Sequence, residues 1–222
     1  IRGYSVIIDK NREVLHPSIL TMDERGFDPQ QEEGLRLAIP KILWLKNEKP
    51  DLFSKVYKII FADTYIYMKL CGSELLITET TNAIYGIMNM KTLDWDSNLA
   101  ERFDLPVDLW PEIHTPGEIL GELSSEAAGE LWLKSKIPEV LGGGDQQCSA
   151  LGMGVINQNQ AKITMGTFTV ANLVTGDEPA QLPGGDIPIF PLPHVIKGKW
   201  MLEGAMPGTG TALKWFKDNF SR

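Results

Sequence analysis

Three consecutive glycines, Gly142 to Gly144, separate a short apolar run from a segment rich in small residues. The apolar run at 137–141 predicts a strand, and residues 146–154 predict a helix. Glycine lets the backbone turn sharply and approach a ligand closely, and the first turn of a helix presents N–H groups without intrahelical partners. This segment is therefore constrained to form a strand, a tight turn and a helix, with Asp145 at the N-terminus of that helix.

Two roles suit a carboxylate in that position. In phosphoryl transfer an Asp accepts the proton of the attacking hydroxyl, while the protein otherwise positions the reactants and stabilises charge. The simpler interpretation is that Asp145 only caps the helix, because Asp is a favoured N-cap residue. Residue types and spacing leave both interpretations open and favour the cap.

The remaining chain alternates predicted strands and helices, which favours an α/β or α+β fold. Strands are predicted at 4–9 and 13–15, at 162–165 and 168–173 as a hairpin, and at 200–202. Helices are predicted from Pro40, over 62–70 with Gly72 as a left-handed cap, up to Phe103, after Ser124 or Ser125, and over 209–220. A second, β-rich unit is predicted to begin near Asn159.

The chain of 222 residues has a net charge of −8 and a pI near 5.0. A surface of this sign would be repelled by nucleic acid or an anionic membrane, so we expect neither as a partner. No apolar stretch approaches the length of a bilayer span. Cys71 and Cys148 show no metal-ligand spacing and no disulfide framework, so a reducing cytoplasm is the expected location.

Two further segments are candidate sites. Gly166-Thr167 lies at the predicted hairpin turn, where backbone N–H groups and a hydroxyl could hold phosphate oxygens, although an ordinary β-turn has the same composition. Thr21, Asp23 and Arg25 alternate along an extended segment and could meet a polyol with donors and acceptors. The alternative for this segment is a surface salt bridge.

Taken together, these segments resemble the FGGY carbohydrate kinases. Asp63-Thr64-Tyr65-Ile66 followed by Leu70-Cys71-Gly72 is similar to a family stretch in which Thr usually stands in place of Cys71. Further landmarks follow in the family's order: Thr92-Leu93-Asp94-Trp95-Asp96, Leu109-Trp110-Pro111-Glu112-Ile113, Gly117-Glu118-Ile119-Leu120-Gly121 and the glycine-Asp run. Several landmarks in the family's order are stronger evidence of the resemblance than any single motif.

The resemblance implies an actin-like ATPase fold related to ribonuclease H. It implies most of domain I, a sugar-binding domain over 1–158 without its first strands, and the start of a nucleotide-binding domain II over 159–222. It further implies Asp145 as the base for the sugar hydroxyl and Gln146 as a hydroxyl ligand. Gly166 and Thr167 would contact the phosphates of ATP, with Mg²⁺ as the accompanying ion.

The implied substrate is a sugar or polyol. The second Gln and the Leu-Asp-Trp region resemble glycerol kinases, while the triple glycine resembles xylulokinases and autoinducer-2 kinases. Thr21 and Thr80 stand where glycerol kinases carry aromatic residues, and Arg2 stands where xylulokinases carry His. We therefore expect Arg2, Thr21, Asp23 and Thr80 to contact a linear or short-chain polyhydroxylated substrate.

The family begins with a strand and a phosphate- and magnesium-binding loop, whereas this sequence opens with Ile1 rather than Met and already follows a strand pattern over Arg2 to Asp9. We therefore expect a central fragment of a kinase that is inactive by itself. The alternative function is a non-catalytic carbohydrate-binding or regulatory protein on the same scaffold. The sequence leaves open whether the protein forms a homodimer.

Overall fold

A computed structural model describes residues 4–20, 23–26, 37–72, 74–166, 169–182, 189–206 and 208–220. The chain forms two compact units, Ile1–Gly144 and Asp145–Arg222, so that one unit ends within the glycine turn. No helix in these ranges combines the length and the apolar character needed to cross a bilayer.

The core of the first unit is built on an antiparallel sheet of order β2-β1-β3, with β1 at Ser5–Ile8, β2 at Val14–His16 and β3 at Lys58–Phe61. Every residue of β1 is buried, as are the last three of β3. These runs of Ile and Val pair Val6 with Ile60 and Ile7 with Ile59, so β-branched side chains pack on both faces. The predicted opening hairpin is confirmed.

Six α-helices of the first unit are described: α1 (Ile39–Glu48), α2 (Pro50–Phe53), α3 (Ala62–Cys71), α4 (Thr80–Ala83), α5 (Ser97–Phe103) and α6 (Ser125–Leu131). A short 3₁₀ helix spans Val107–Leu109. Their ends follow local rules. Asp96 and Ser124 cap α5 and α6 through side-chain oxygens that accept backbone N–H groups. Gly72 ends α3 as predicted, but at φ 120° and ψ 156°, an extended left-handed conformation outside the αL region that was expected.

Three short strand pairs complete the first unit. Strand β4 (Ile77–Glu79) pairs in parallel with β7 (Glu112–His114). The antiparallel pairs are β5 (Met88–Asn89) with β6 (Asp94–Trp95), and β8 (Ile119–Glu122) with β9 (Pro138–Val140). Strand β9 is the predicted strand that leads into the three glycines.

The second unit contains an antiparallel sheet of order β10-β11-β13-β12 and two described helices. Its elements are α7 (Asp145–Gly152), β10 (Ala161–Met165), β11 (Thr169–Gly176), β12 (Ile189–Pro193), β13 (Trp200–Met206) and α8 (Thr209–Phe220). The predicted hairpin and the last helix are confirmed. The predicted domain boundary at 158/159 stays a prediction, and the compact units meet fourteen residues earlier, at 144/145.

An aromatic cluster fills part of the first unit's core. Trp110 is 2% exposed and stacks on Phe61 with ring centroids 6.1 Å apart, while Trp95 lies 5.2 Å from Trp110 on the same measure. Gly86 leaves room for this cluster, because a Cβ atom there would lie 2.7 Å from Cζ3 of Trp110. The position therefore excludes any side chain unless the buried indole moves.

We predict that Gly86→Ala lowers the free energy of unfolding by about 1–3 kcal/mol, because overpacking a dense core forces strain on its neighbours. Gly129→Ala is the matched control, since a Cβ on that exposed helical residue meets nothing within 4 Å. It should be neutral or stabilise by about 0.5–1 kcal/mol. Urea denaturation followed by tryptophan fluorescence compares the two, and equal midpoints would contradict the packing argument.

Candidate active site

Side chains of the first unit hold the glycine turn by its backbone. The Gly142 N–H donates to the Tyr67 hydroxyl at 3.0 Å, and the Gly144 N–H donates to Oγ1 of Thr81 at 2.6 Å. Tyr67 lies on α3 and Thr81 on α4, so the turn is held by two helices that are far from it in the sequence. Asp145 is the next residue along the chain.

The Thr81 hydroxyl is itself held by a buried carboxylate. Glu79 is 1% exposed, and its Oε2 accepts the Thr81 hydroxyl at 2.6 Å and the Thr81 backbone N–H. A hydroxyl can donate one hydrogen bond while it accepts another. Glu79, Thr81 and Gly144 therefore form a continuous chain of hydrogen bonds that leads into the glycine turn.

Asp63 supports this chain from α3. Its Oδ2 accepts the Thr78 hydroxyl at 3.0 Å and the Glu79 N–H at 3.3 Å. Its Oδ1 is shielded from solvent. Burial raises the pKa of Asp63 above its usual value of 3.8, and the hydrogen bonds that it accepts oppose that rise only in part.

A small cleft of about 170 Å³ opens beside these groups. Its lining residues all belong to the first unit: Asp63, Ile66, Tyr67, Glu79, Asn82 and Gly143. Carboxylates accept hydrogen bonds, whereas a phenol and an amide both donate and accept. The wall of the cleft therefore has the chemistry to bind hydroxyl groups.

In the second unit, Asp145 is the first residue of α7 and is exposed to solvent. Its Oδ1 accepts the backbone N–H of Gln146 at 2.9 Å, which is one of the N–H groups of the first helical turn that lack an intrahelical partner. The Gln146 side chain accepts hydrogen bonds from Nζ of Lys162 at 2.7 Å and from the Thr164 hydroxyl at 3.3 Å. Asp145 therefore contacts the start of its helix and is also exposed to solvent.

The other predicted site residues are divided between the two units. Thr80 is 6% exposed at the start of α4. Asp23 forms the surface salt bridge that was the alternative for its segment: Oδ2 lies 2.6 Å from Nη2 of Arg25, and the side-chain hydrogen bond from Arg25 lowers the pKa of Asp23 to about 2. Gly166 is exposed after β10 and accepts the Gly210 N–H. Arg2, Thr21 and Thr167 lie outside the described residues.

The described residues do not by themselves form a site for the implied Mg²⁺. Within them, no three side chains of His, Cys, Asp or Glu are grouped to hold a metal ion. Magnesium prefers octahedral oxygen coordination from a few carboxylates, waters and substrate phosphates. No step of the reaction is therefore assigned to a metal on these residues.

Sequence reasoning missed Asp63, Glu79 and Thr81 as supports of the site. A signal was present in the sequence, because five consecutive polar residues, Thr78 to Asn82, lie between apolar residues. The structure buries all five. Buried polar side chains must find partners, so such a run indicates a hydrogen-bond network.

Residues 36–152 match the profile of the FGGY family of carbohydrate kinases, N-terminal domain. The match covers more than half of the chain. It includes helices α3 and α4, which hold the glycine turn, as well as the turn itself and Asp145. This chain therefore belongs to the FGGY family of carbohydrate kinases, and the predicted family membership is confirmed.

Similar proteins agree with that assignment. The chain is 32% identical over 185 residues to an autoinducer-2 kinase of Yersinia enterocolitica. The matched stretch covers 82% of this chain and 34% of the relative. It thus spans about a third of the length of such curated relatives. Among solved structures, a xylulose kinase from Lactobacillus acidophilus matches with a TM-score of 0.85 and 27% identity, covering 98% of this chain and 47% of that one.

A glycerol kinase from Plasmodium falciparum matches the fold with a TM-score of 0.83 at 22% identity, covering 98% of this chain and 47% of that one. These neighbours carry the actin-like ATPase fold, and the chain corresponds to its N-terminal part. The predicted α/β fold class is confirmed.

We predict that Thr81→Val lowers the free energy of unfolding by about 1–3 kcal/mol. The substitution removes the hydroxyl to which the Gly144 amide donates and from which the buried Glu79 carboxylate accepts. Thr81→Ser retains the hydroxyl and serves as the control. Hydrogen exchange of the Gly144 amide should accelerate in Thr81→Val only. Equal protection in the two variants would show that the Thr81 hydroxyl does not hold the turn.

The raised pKa of Asp63 predicts a pH dependence of stability. Above pH 3.8 the unfolded carboxyl releases its proton, while the folded carboxyl retains it until its higher pKa is reached, so this group reduces stability as pH rises. Asp63→Asn keeps an oxygen for the Thr78 hydroxyl and cannot ionise. The unfolding free energy of this variant minus that of the wild type should increase above pH 3.8; parallel pH profiles would refute the shift.

Proposed function

We propose that the protein to which this chain belongs transfers the γ-phosphoryl group of ATP to a hydroxyl of a sugar or polyol, with Asp145 as general base. The observation that carries the proposal is the position of Asp145. It is an exposed carboxylate at the first residue of α7, directly after a glycine turn, within the part of the chain that matches the FGGY profile.

In the proposed step, the carboxylate of Asp145 accepts the proton of the attacking hydroxyl while that oxygen bonds to the γ-phosphorus and the bond to ADP breaks. Such a step needs little covalent chemistry from the protein, so positioning dominates. The glycine turn supports this requirement because Tyr67 and Thr81 hold its backbone. An exposed carboxylate next to a rigid turn suits a base that must reach a bound ligand.

Gln146 is proposed as a ligand of a substrate hydroxyl, and Gly166 with Thr167 as contacts of the ATP phosphates. The remaining predicted substrate contacts, Arg2, Thr21, Asp23 and Thr80, stay predictions. So do the domain boundaries at 1–158 and 159–222, a cytoplasmic location and a homodimer.

The proposed substrate is a linear or short-chain polyhydroxylated compound. The curated relative acts on autoinducer-2, and the solved neighbours act on xylulose and glycerol, according to their names. Identity to the autoinducer-2 kinase exceeds 30% over most of this chain, so autoinducer-2 is the first compound to test. D-xylulose and glycerol complete the panel.

We predict that Asp145→Asn in the full-length protein lowers sugar-dependent ATP consumption by about a hundred- to ten-thousand-fold, the usual contribution of a general base. Asn retains the size of the side chain but accepts a proton far less readily. A coupled assay of ADP release with autoinducer-2, D-xylulose and glycerol measures the rate, and circular dichroism checks the fold.

Asp177→Asn is the matched control. Asp177 is an exposed Asp of the same unit that pairs with Lys199 at 2.6 Å on the surface, so its loss should leave turnover unchanged. Retained turnover in Asp145→Asn would remove Asp145 as the base. A wild type that binds sugar but neither binds nor consumes ATP would instead favour the non-catalytic carbohydrate-binding function.

A further inference from the structure

A buried lysine contacts the residue that follows Asp145. Lys162 lies on β10 with 3% of its surface exposed, and its Nζ donates to Oε1 of Gln146 at 2.7 Å and to Oγ1 of Thr164 at 3.0 Å. Burying an ammonium group is costly unless hydrogen-bonding partners replace its water. The placement of a lysine here therefore calls for an explanation beyond packing.

The two contacts determine how the Gln146 amide is oriented. An ammonium group only donates, so the atom that faces Lys162 must be the carbonyl oxygen of the amide and not its nitrogen. The Thr164 hydroxyl accepts from Lys162 and donates to the same oxygen at 3.3 Å. Both lone pairs of Oε1 are then engaged, and the amide NH₂ is the group that Gln146 can offer to a ligand.

This orientation complements the chemistry of the preceding residue. A carboxylate such as that of Asp145 accepts hydrogen bonds, whereas the Gln146 NH₂ can only donate them. A hydroxyl group needs both kinds of partner, because it has one proton to donate and lone pairs that accept. Adjacent residues at the start of α7 thus present one acceptor and one donor suited to a hydroxylated ligand.

We propose that Lys162 is a positioning residue that locks Gln146 with its NH₂ available to a substrate oxygen. This inference rests on the proposed function, since it concerns how that kinase recognises its sugar. Lys162 acts through Gln146 and does not itself touch the substrate. A lysine that merely joined β10 to α7 would affect stability and not the affinity for the sugar.

The test uses Lys162→Met in the full-length enzyme, with whichever of autoinducer-2, D-xylulose and glycerol the wild type turns over fastest. Met has a similar length and no charge, so it can fill the same space without donating a hydrogen bond to Gln146. The KM for the sugar should rise about tenfold, the effect of one lost or misoriented hydrogen bond, while kcat and the KM for ATP change by less than about threefold. An unchanged KM for the sugar would overturn the inference.

The double variant with Gln146→Ala separates positioning from a general structural effect. If Lys162 acts through Gln146, Lys162→Met should add no further increase in the KM for the sugar once Gln146 is Ala. Independent, multiplying effects would contradict the inference. Thr164→Val should shift the same KM in the same direction by a smaller factor, and Thr164→Ser, which keeps the hydroxyl, should resemble the wild type.

Gln146→Glu provides a test that does not depend on how Lys162→Met folds. Glu retains the contact with Lys162 as an ion pair but has no NH₂ group, so the KM for the sugar should rise as in Gln146→Ala. A wild-type KM in Gln146→Glu would overturn the assigned donor role. A wild type without any sugar-dependent ATP consumption would overturn the proposed function together with this inference, whereas an active wild type with unaffected variants would overturn the inference alone.

Discussion

The hydrogen bond from the Gly144 amide to the Thr81 hydroxyl is the contact on which the site in the first unit depends. It ends a buried series that runs through Glu79 to Asp63, two carboxylates on different elements of the unit. In a low-dielectric interior such bonds are strong when all are made and costly when one is lost. The glycine turn therefore has a defined position although glycine itself imposes none.

The two residues that flank Asp145 are each held by polar side chains of their own unit. Gly144 is held by Thr81 in the first unit, and Gln146 is held by Lys162 and Thr164 in the second. The division between the compact units falls between these anchors. Under the proposed function, the hydrogen bonds that hold Gln146 would help to position the exposed carboxylate of Asp145, since phosphoryl transfer depends on positioning above other catalytic contributions.

The departure of this chain from a family landmark at Cys71 is compatible with the same fold. Burial raises the pKa of the Cys71 thiol, with a smaller contribution from the charge of Glu139. A thiol with a raised pKa stays protonated and behaves as a small apolar side chain at the end of α3. The substitution therefore leaves the helix that carries Asp63 and Tyr67 intact without introducing a reactive group.

Local sequence by itself determined the strand, glycine turn and helix around Asp145, the opening hairpin and the last helix, because periodicity, caps and turn residues act over a few neighbouring positions. The order of its landmarks also determined the family. Only the tertiary structure decided that Thr81 meets Gly144 across 63 positions and that Lys162 orients Gln146. It likewise placed the Gly72 cap outside the αL region. Local propensity does not specify which distant polar groups become buried partners, since that pairing depends on how the helices and sheets pack.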